Sequence, residues 1–362
     1  TGCPNTAVAY QALLSNTTGT NNTAIGYQGL RQTTTGTSNT AAGHQSLCAN
    51  TTGTNNVAVG KSALFANTTA SSNIAIGEAA LITNTTGASN VSVGGGGAMY
   101  YNTTGAENTA VGLASLKDNT TACYNTAIGA YALTDNTTGN CNVSVGWIAG
   151  QLNTTGVQNT TIGRGAGYSN TTKSNNVYIG SGAGYSNVGD SNTLVGQSNG
   201  VNLTTGCYNT AVGNGYSASA VGVLFESALG YQPTGKGSNT FFSNAANGAY
   251  NGNNSSSWQT TSDRRIKKNI VDNNTGLEKI DKIKVRNFEY KTKDEITEVP
   301  THSAIDKKGV QVGVIAQEIE KVLPDVVHTE TTGVKSVNPD NITWYLVNAV
   351  KELKKEIEEL KK

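Results

Sequence analysis

Charged side chains are nearly missing from the first 261 residues, which hold six Lys or Arg and six Asp or Glu; residues 262–362 hold nineteen and eighteen. The net charge of +1 leaves no basic excess, which excludes a nucleic-acid binder and argues against long-range steering of an anionic partner. With five Phe, three Trp and one Met in 362 residues, the chain lacks the large side chains of an ordinary globular core. The five cysteines, Cys3, Cys48, Cys123, Cys141 and Cys207, form no C-x-x-C pair. They read as small buried or half-buried residues, with disulfide pairing as the lesser alternative. His44, His302 and His328 have no metal-ligand spacing, so neither a metal nor another cofactor is expected. No apolar run approaches the ~18 residues of a membrane span, and no basic segment followed by an apolar core opens the chain. Membrane insertion and a signal peptide are therefore not expected. The chain opens in mid-repeat at Thr1-Gly2, as a piece cut from a longer protein would.

What the chain has instead is Gly, Asn and Thr in a fixed period. Glycines that follow a β-branched residue, or Ala42 in one unit, stand at 26, 43, 60, 77, 94, 112, 129, 146, 163, 180, 196 and 213, seventeen apart but for one interval of 18 and one of 16. Such a period marks a repeat architecture. Within a unit such as Asn22-Thr23-Ala24-Ile25-Gly26, alternation predicts a short strand with Ile or Val turned inward. A second glycine seven residues earlier (Gly19, Gly36, Gly53, Gly87, Gly105) supplies another corner. Ala70 and Ala122 replace it in two units, so this corner does not demand positive φ. Ala-Leu pairs at 12–13, 63–64, 80–81 and 132–133 are expected to stack from coil to coil and fill a narrow core. From Gly150 the Leu column becomes Gly (Gly167, Gly184, Gly200), which is expected to narrow the coil or bring neighbouring chains closer. Trp147 is a candidate for a subunit seam or a plain surface aromatic. The N-x-[ST] triplets, among them Asn16-Thr17-Thr18 and Asn153-Thr154-Thr155, read first as turn and strand-edge residues and second as glycosylation acceptors. A 17-residue unit cannot bury its own apolar face, so stability must come from stacking. The N-x-x-x-G strand resembles the left-handed β-roll of trimeric autotransporter adhesin heads, although the longer unit leaves hand and cross-section open.

The expected organisation is mainly β. A parallel β-helix or β-roll rod over residues 1–230 is followed by a cap, stalk and linker over 231–261 bearing Phe241, Phe242, Tyr250 and Trp258. A charged α+β domain occupies 262–362. Within it, 277–280 reads as a short helix, 284–290 and 310–315 as strands, 316–321 as a helix stopped by Pro324, and 325–328 with 334–337 as a strand pair. Over residues 342–362, Leu346, Val350, Leu353, Ile357 and Leu360 recur at intervals of four, three, four and three, the seam of a coiled coil. Glu356 at g and the following Lys361 at e suit an interchain pair. The seam alone permits a dimer.

The run Ser262-Asp263-Arg264-Arg265-Ile266-Lys267-Lys268-Asn269-Ile270, with Gly313-Val314-Ile315-Ala316-Gln317-Glu318-Ile319-Glu320 and Leu323-Pro324 downstream, resembles the intramolecular chaperone domain of peptidase family S74. That domain ends phage tail fibres, tail spikes and endosialidases, and occurs in myelin regulatory factor-like proteins. The resemblance implies a homotrimer, templated folding of the rod, and self-cleavage by a Ser-Lys dyad, with Ser262 as nucleophile and Lys267 as general base. A serine hydroxyl needs such a base, and a lysine serves when burial lowers its pKa. The cut is expected at the Thr261-Ser262-Asp263 boundary, on either side of Ser262. Arg264, Lys268, Asn269, Gln317 and Glu318 are candidate supporting residues. The resemblance further implies a virion location, assembly in the host cytoplasm and host attachment through a cell-surface glycan or receptor. Two alternatives stand beside it: a non-cleaving fibre with a permanent trimer cap, and an adhesin shaft.

Overall fold

The computed structural model describes residues 4–244, 249–252, 264–298, 307–329 and 333–361. The chain divides into two compact units after Thr261.

The first unit is a parallel β-solenoid. Three-residue strands run from β1 (Thr6–Val8) to β12 (Thr193–Val195), one per coil, and longer ones follow as β13 (Thr210–Asn214), β14 (Ser227–Tyr231) and β15 (Thr240–Asn244). Each pairs in parallel with the next, Thr6 opposite Thr23 and Thr210 opposite Ser227. The stacking continues past residue 230, where the strict period stops, because β14 still pairs in parallel with β15. β16 (Ala249–Gly252) then lies antiparallel on β15 and covers an edge that would otherwise expose unpaired backbone groups.

The strand faces are the reverse of the alternation reading. In the coil of β2 (Thr23–Ile25), Ala24 is fully buried and Ile25 points outward. The inward phase is set by asparagine. The Asn before each strand is buried from Asn22 to Asn209, and its side chain links three coils. The Asn39 amide N–H donates to Asn22 Oδ1 at 3.0 Å, Asn39 Oδ1 accepts from the Asn56 amide at 3.0 Å, and Asn39 Nδ2 donates to the Gly53 carbonyl at 2.8 Å. A second buried ladder runs through Asn67, Asn84, Asn102, Asn119, Asn136 and Asn153, each Nδ2 reaching the Oδ1 one coil back at 2.7–3.1 Å. The first ladder finds its partners in neighbouring coils, and the second adds a bond within its own coil, as from Asn67 Nδ2 to the Ala70 carbonyl, so burying these amides is tolerable chiefly in the stack. The Asn of the Asn-Thr-Thr triplets lies in this second ladder. Its nitrogen is bonded inside the folded solenoid, which leaves it no role as a glycan acceptor there.

Glycine after the strand is required by close approach: a Cβ on Gly60, whose φ is +128°, would lie 2.6 Å from the Gly77 carbonyl oxygen. The other corner, at Gly53 or Ala70, has no positive φ. The Leu column is buried as expected, yet in the left-handed conformation, φ 50° at Leu30 and 53° at Leu64. That conformation costs roughly 1–2 kcal/mol per residue, whereas burying a leucine contributes about 1.5–3 kcal/mol. Burial offsets that cost in the coils that carry a buried leucine.

Where the Leu column becomes Gly, a second column changes with it. The strand's inward residue grows in compensation, from Ala127 to Ser144, Thr161, Tyr178 and Leu194, the last two fully buried. A Cβ on Gly184 would lie 2.7 Å from the Tyr178 ring, and one on Gly200 2.7 Å from a Leu194 methyl. Side-chain volume thus moves from one column to the other. Burial pushes the Tyr178 phenol far above its ordinary pKa, and its hydroxyl donates to Asn187 Oδ1 at 2.9 Å. The second Asn ladder breaks just before this region: Asn153 Oδ1 is buried with no hydrogen-bond partner among the described residues.

Near the end of the stack Glu226 takes the place of the ladder asparagine. Its amide donates to Asn209 Oδ1, and its side-chain oxygens accept from the Tyr216 hydroxyl and the amides of Ser219 and Gly237. Phe242 is buried beneath Lys236, while Phe225 is exposed and stacked on Tyr208. Trp147 is exposed under the Arg164 guanidinium. Cys48, Cys123, Cys141 and Cys207 are free thiols.

The second unit carries α1 (Leu277–Ile280), β17 (Arg286–Phe288), β18 (Gln311–Gly313), α2 (Ala316–Ile319), β19 (Val327–Thr329), β20 (Lys335–Val337) and α3 (Pro339–Leu360). β17 pairs antiparallel with β18, and β19 with β20. Ile319, Leu323 and Val326 form its small core, against which Ile342 and Tyr345 of α3 pack. Asn338 caps α3 by accepting the Asp340 amide, with Pro339 at the first helical position.

The exchange of volume between columns is testable. Gly184→Leu and Tyr178→Ala should each lower solenoid stability by about 2 kcal/mol or more. The double variant should lose less than their sum by at least ~1 kcal/mol in urea unfolding. Strict additivity would show that the two columns do not share one space.

Candidate functional site

Ser262, with Thr261 and Asp263, lies outside the described residues, so the site is built from Arg264 onward. Arg264–Ile266 form a single 3-10 turn, closed by the Lys267 amide donating to the Arg264 carbonyl at 3.2 Å. Asn269 follows in the left-handed conformation, φ 52°, which asparagine tolerates better than most residues. The turn over Arg264–Ile266 falls, in sequence, between the two dyad candidates. The side chains of Arg264, Lys267, Lys268 and Asn269 are exposed. The single chain therefore does not supply the burial that a general-base lysine requires.

The two candidate positions of the central block differ. Gln317 is exposed on α2. Glu318 receives two hydrogen bonds from Arg286 of β17, Nε to Oε2 at 3.1 Å and Nη2 to Oε1 at 2.8 Å, a forked pairing of guanidinium with carboxylate. These bonds hold the Glu318 carboxyl below the ordinary carboxylate range and raise the Arg286 guanidinium. The pairing ties α2 to the β17–β18 hairpin. Sequence reasoning missed Arg286, which shares the predicted strand with Lys284 and has nothing local to single it out.

The five seam residues of α3, Leu346, Val350, Leu353, Ile357 and Leu360, are 42–87 % exposed. Ile342, four residues before Leu346 in the same pattern, instead packs on its own unit. The face turned toward the rest of the unit carries Tyr345, Asn348, Ala349 and Glu352. Asn348 Nδ2 donates to the Asn273 and Thr275 carbonyls, and Glu352 Oε2 accepts the Leu277 amide. Among the described residues no cluster of His, Cys, Asp and Glu suits a metal ion, and no helix is long and apolar enough to cross a membrane.

The Arg286 pairing has a titration signature. A carboxyl with a lowered folded-state pKa contributes stability above its unfolded pKa and loses it as pH falls through the lowered value. Because the pair is exposed, salt weakens it. Arg286→Ala should move the Glu318 titration, followed by carboxyl NMR, upward to the ordinary value of about 4.3. An unmoved titration would mean the pairing does not form in solution.

Residues 262–328 match the family described as the chaperone of endosialidase, peptidase S74. Two curated relatives are the long tail fiber protein Gp37 of Enterobacteria phage M1 and that of Enterobacteria phage Ox2, each 32% identical over 104 residues. The matched stretch is 28% of this chain and 38% of each relative, so the chain spans well under half the length of the curated relatives it matches. No solved structure matches. The chain thus carries a C-terminal domain similar to the peptidase S74 chaperones behind a parallel β-solenoid.

Proposed function

We propose that this chain is a segment of a viral tail fibre or spike, from a phage or a large DNA virus. Its second unit assembles three copies, guides folding of the solenoid and then leaves by self-cleavage. The observation that carries the reading is a coincidence of boundaries: the family match begins at Ser262, the residue at which the chain divides into two compact units. A cut there releases one unit from the other without breaking either.

Three copies of α3 associate through Leu346, Val350, Leu353, Ile357 and Leu360, a strip too apolar to leave in water along one helix. Assembly supplies the order that an isolated helix of this length lacks, and a neighbouring copy supplies the burial that exposed Lys267 needs. The Lys267 amine then takes the Ser262 hydroxyl proton. Attack of Ser262 Oγ on the Thr261 carbonyl moves the acyl group to oxygen, and the Lys267 ammonium returns its proton to the Ser262 nitrogen as the C–N bond breaks and the amine is freed. Water hydrolyses the ester and returns the hydroxyl. The bond on the Asp263 side is the alternative cut. Once the second unit has gone, the folded solenoid no longer has the easy route by which it formed, and disassembly becomes slow.

Exposed stacked rings on the solenoid, Tyr10 on Tyr27 on His44 and Tyr208 on Phe225, favour a second role in binding a host-surface glycan, since flat rings stack on sugars. Selective signals on a glycan array support that role; their absence removes it.

On denaturing gels the wild-type chain should yield fragments near 1–261 and 262–362, and their masses identify the severed bond. Ser262→Ala and Lys267→Ala should leave it whole. Continued cutting in both variants would eliminate the dyad. A whole wild-type chain that is nonetheless trimeric would favour a permanent cap. Leu353→Asp should reduce the trimer seen by light scattering to monomer.

A further inference from the structure

We propose that Asn348 and Glu352 are positioning residues for the cut: they fasten the trimerising helix to the chain segment leading away from Lys267, so that the cleavage turn is held only when α3 is in place. The proposal rests on the serine–lysine reading above.

Three consecutive holds fall on residues 273–277, a stretch with no strand pairing of its own. Asn348 Nδ2 donates to the Asn273 carbonyl at 2.7 Å and to the Thr275 carbonyl at 3.2 Å. One helical turn later, Glu352 Oε2 accepts the Leu277 amide at 2.7 Å. Between them Gly276 lies against the helix backbone: a Cβ there would stand 2.2 Å from the Ala349 nitrogen and 2.5 Å from the Asn348 carbonyl carbon. Ala349, 2 % exposed, is the floor of this contact. All three holds grip backbone atoms, so they fix the path of the segment whatever its side chains.

The two faces of α3 divide the work. Asn348 and Glu352, four residues apart, point to the held segment, while Val350, Leu353 and Ile357 point away from it. One rigid helix therefore joins the assembly seam to residue 273. Lys267 stands six residues before Asn273, so its backbone lies within about 20 Å of a fixed point at full extension, and closer along any bent path. Holding that end shortens the search of the Lys267 amine for the Ser262 hydroxyl, the kind of orientation on which rates depend steeply. Asn348 and Glu352 change where the lysine sits and leave its chemistry alone.

The test uses the full chain as wild type, Asn348→Ala, Glu352→Ala and Glu352→Gln, with light scattering for trimer content and gel densitometry for the first-order cutting rate. All four should be trimeric. The two alanine variants should cut roughly tenfold slower or worse, the loss expected when a charged or doubly bonded hydrogen-bond partner is removed. Glu352→Gln keeps an oxygen acceptor and should return to within about threefold of wild type. In an uncut Ser262→Ala background, amide exchange at Leu277 should rise with Glu352→Ala and recover with Glu352→Gln. Trimeric alanine variants that cut at the wild-type rate would overturn the proposal. So would loss of the trimer in them, which would place the pair in assembly instead. If the wild type itself stays whole, the serine–lysine reading fails, and the exchange measurement alone judges the link: unchanged protection at Leu277 in the Glu352→Ala chain overturns it.

Discussion

A coil of seventeen residues cannot satisfy its own interior. The side chains of Asn22, Asn39 and Asn56 find their partners one coil away, and so do the strand amides, so each coil is soluble only as part of a stack. Such a stack is expensive to start and favourable to extend, and its long-range parallel pairings form slowly. It also has a register problem of its own. Because successive coils present nearly the same Asn, Ala, Gly and Leu columns, sliding one copy past another by one period preserves most of what it could contact. Only the irregularities tell coils apart: the 18- and 16-residue intervals, the exchange of volume around Tyr178, and the Glu226 end. A nearly uncharged solenoid offers few ion pairs to correct an offset, the exposed Lys61–Glu78 pair being one of the few it has.

Against that constraint the charge asymmetry of the chain becomes functional. The second unit is short and mixed in charge, and in the proposed assembly it folds without solving the register of the solenoid. In the proposed assembly its helix seam aligns three chain ends before the solenoids close. The same helix, through Asn348 and Glu352, holds the segment beyond the cleavage turn. Assembly and release are then successive states of one rod-like element.

The seventeen-residue period, the α+β nature of the second unit and nearly all of its short elements were legible in the sequence, because glycine spacing, the Pro324 stop and strand alternation each have a local physical cause. The phase of the solenoid strands was not. Alternation over three residues fits Ile25 inward as well as Ala24 inward, and apolarity alone favours the wrong one. The better signal was sameness: the Asn column, and the Ala column from Ala24 to Ala127 apart from Ser92, hardly vary from coil to coil because they share a confined interior, whereas the Ile/Val/Leu and Thr/Val columns vary because they face out. The Gly150–Gly200 column is half of a pattern when read alone, since its partner column from Ser144 to Leu194 grows as it shrinks. Of the candidate site, the sequence supplied chemical types and spacing for Ser262 and Lys267. The forked pairing of Glu318 with Arg286 and the grip of α3 on residues 273–277 join distant parts of the chain, and no local pattern announces them.

The central claim is that the second unit sets the register of the solenoid. It is tested most directly by producing residues 1–261 alone beside the full Ser262→Ala chain and measuring, in each, the yield of protease-resistant trimer with matching residues aligned, by energy transfer between labels at one surface position. The account predicts aggregated or offset chains from 1–261 and aligned trimers from the full chain. Equal yields of aligned trimer from both would contradict it.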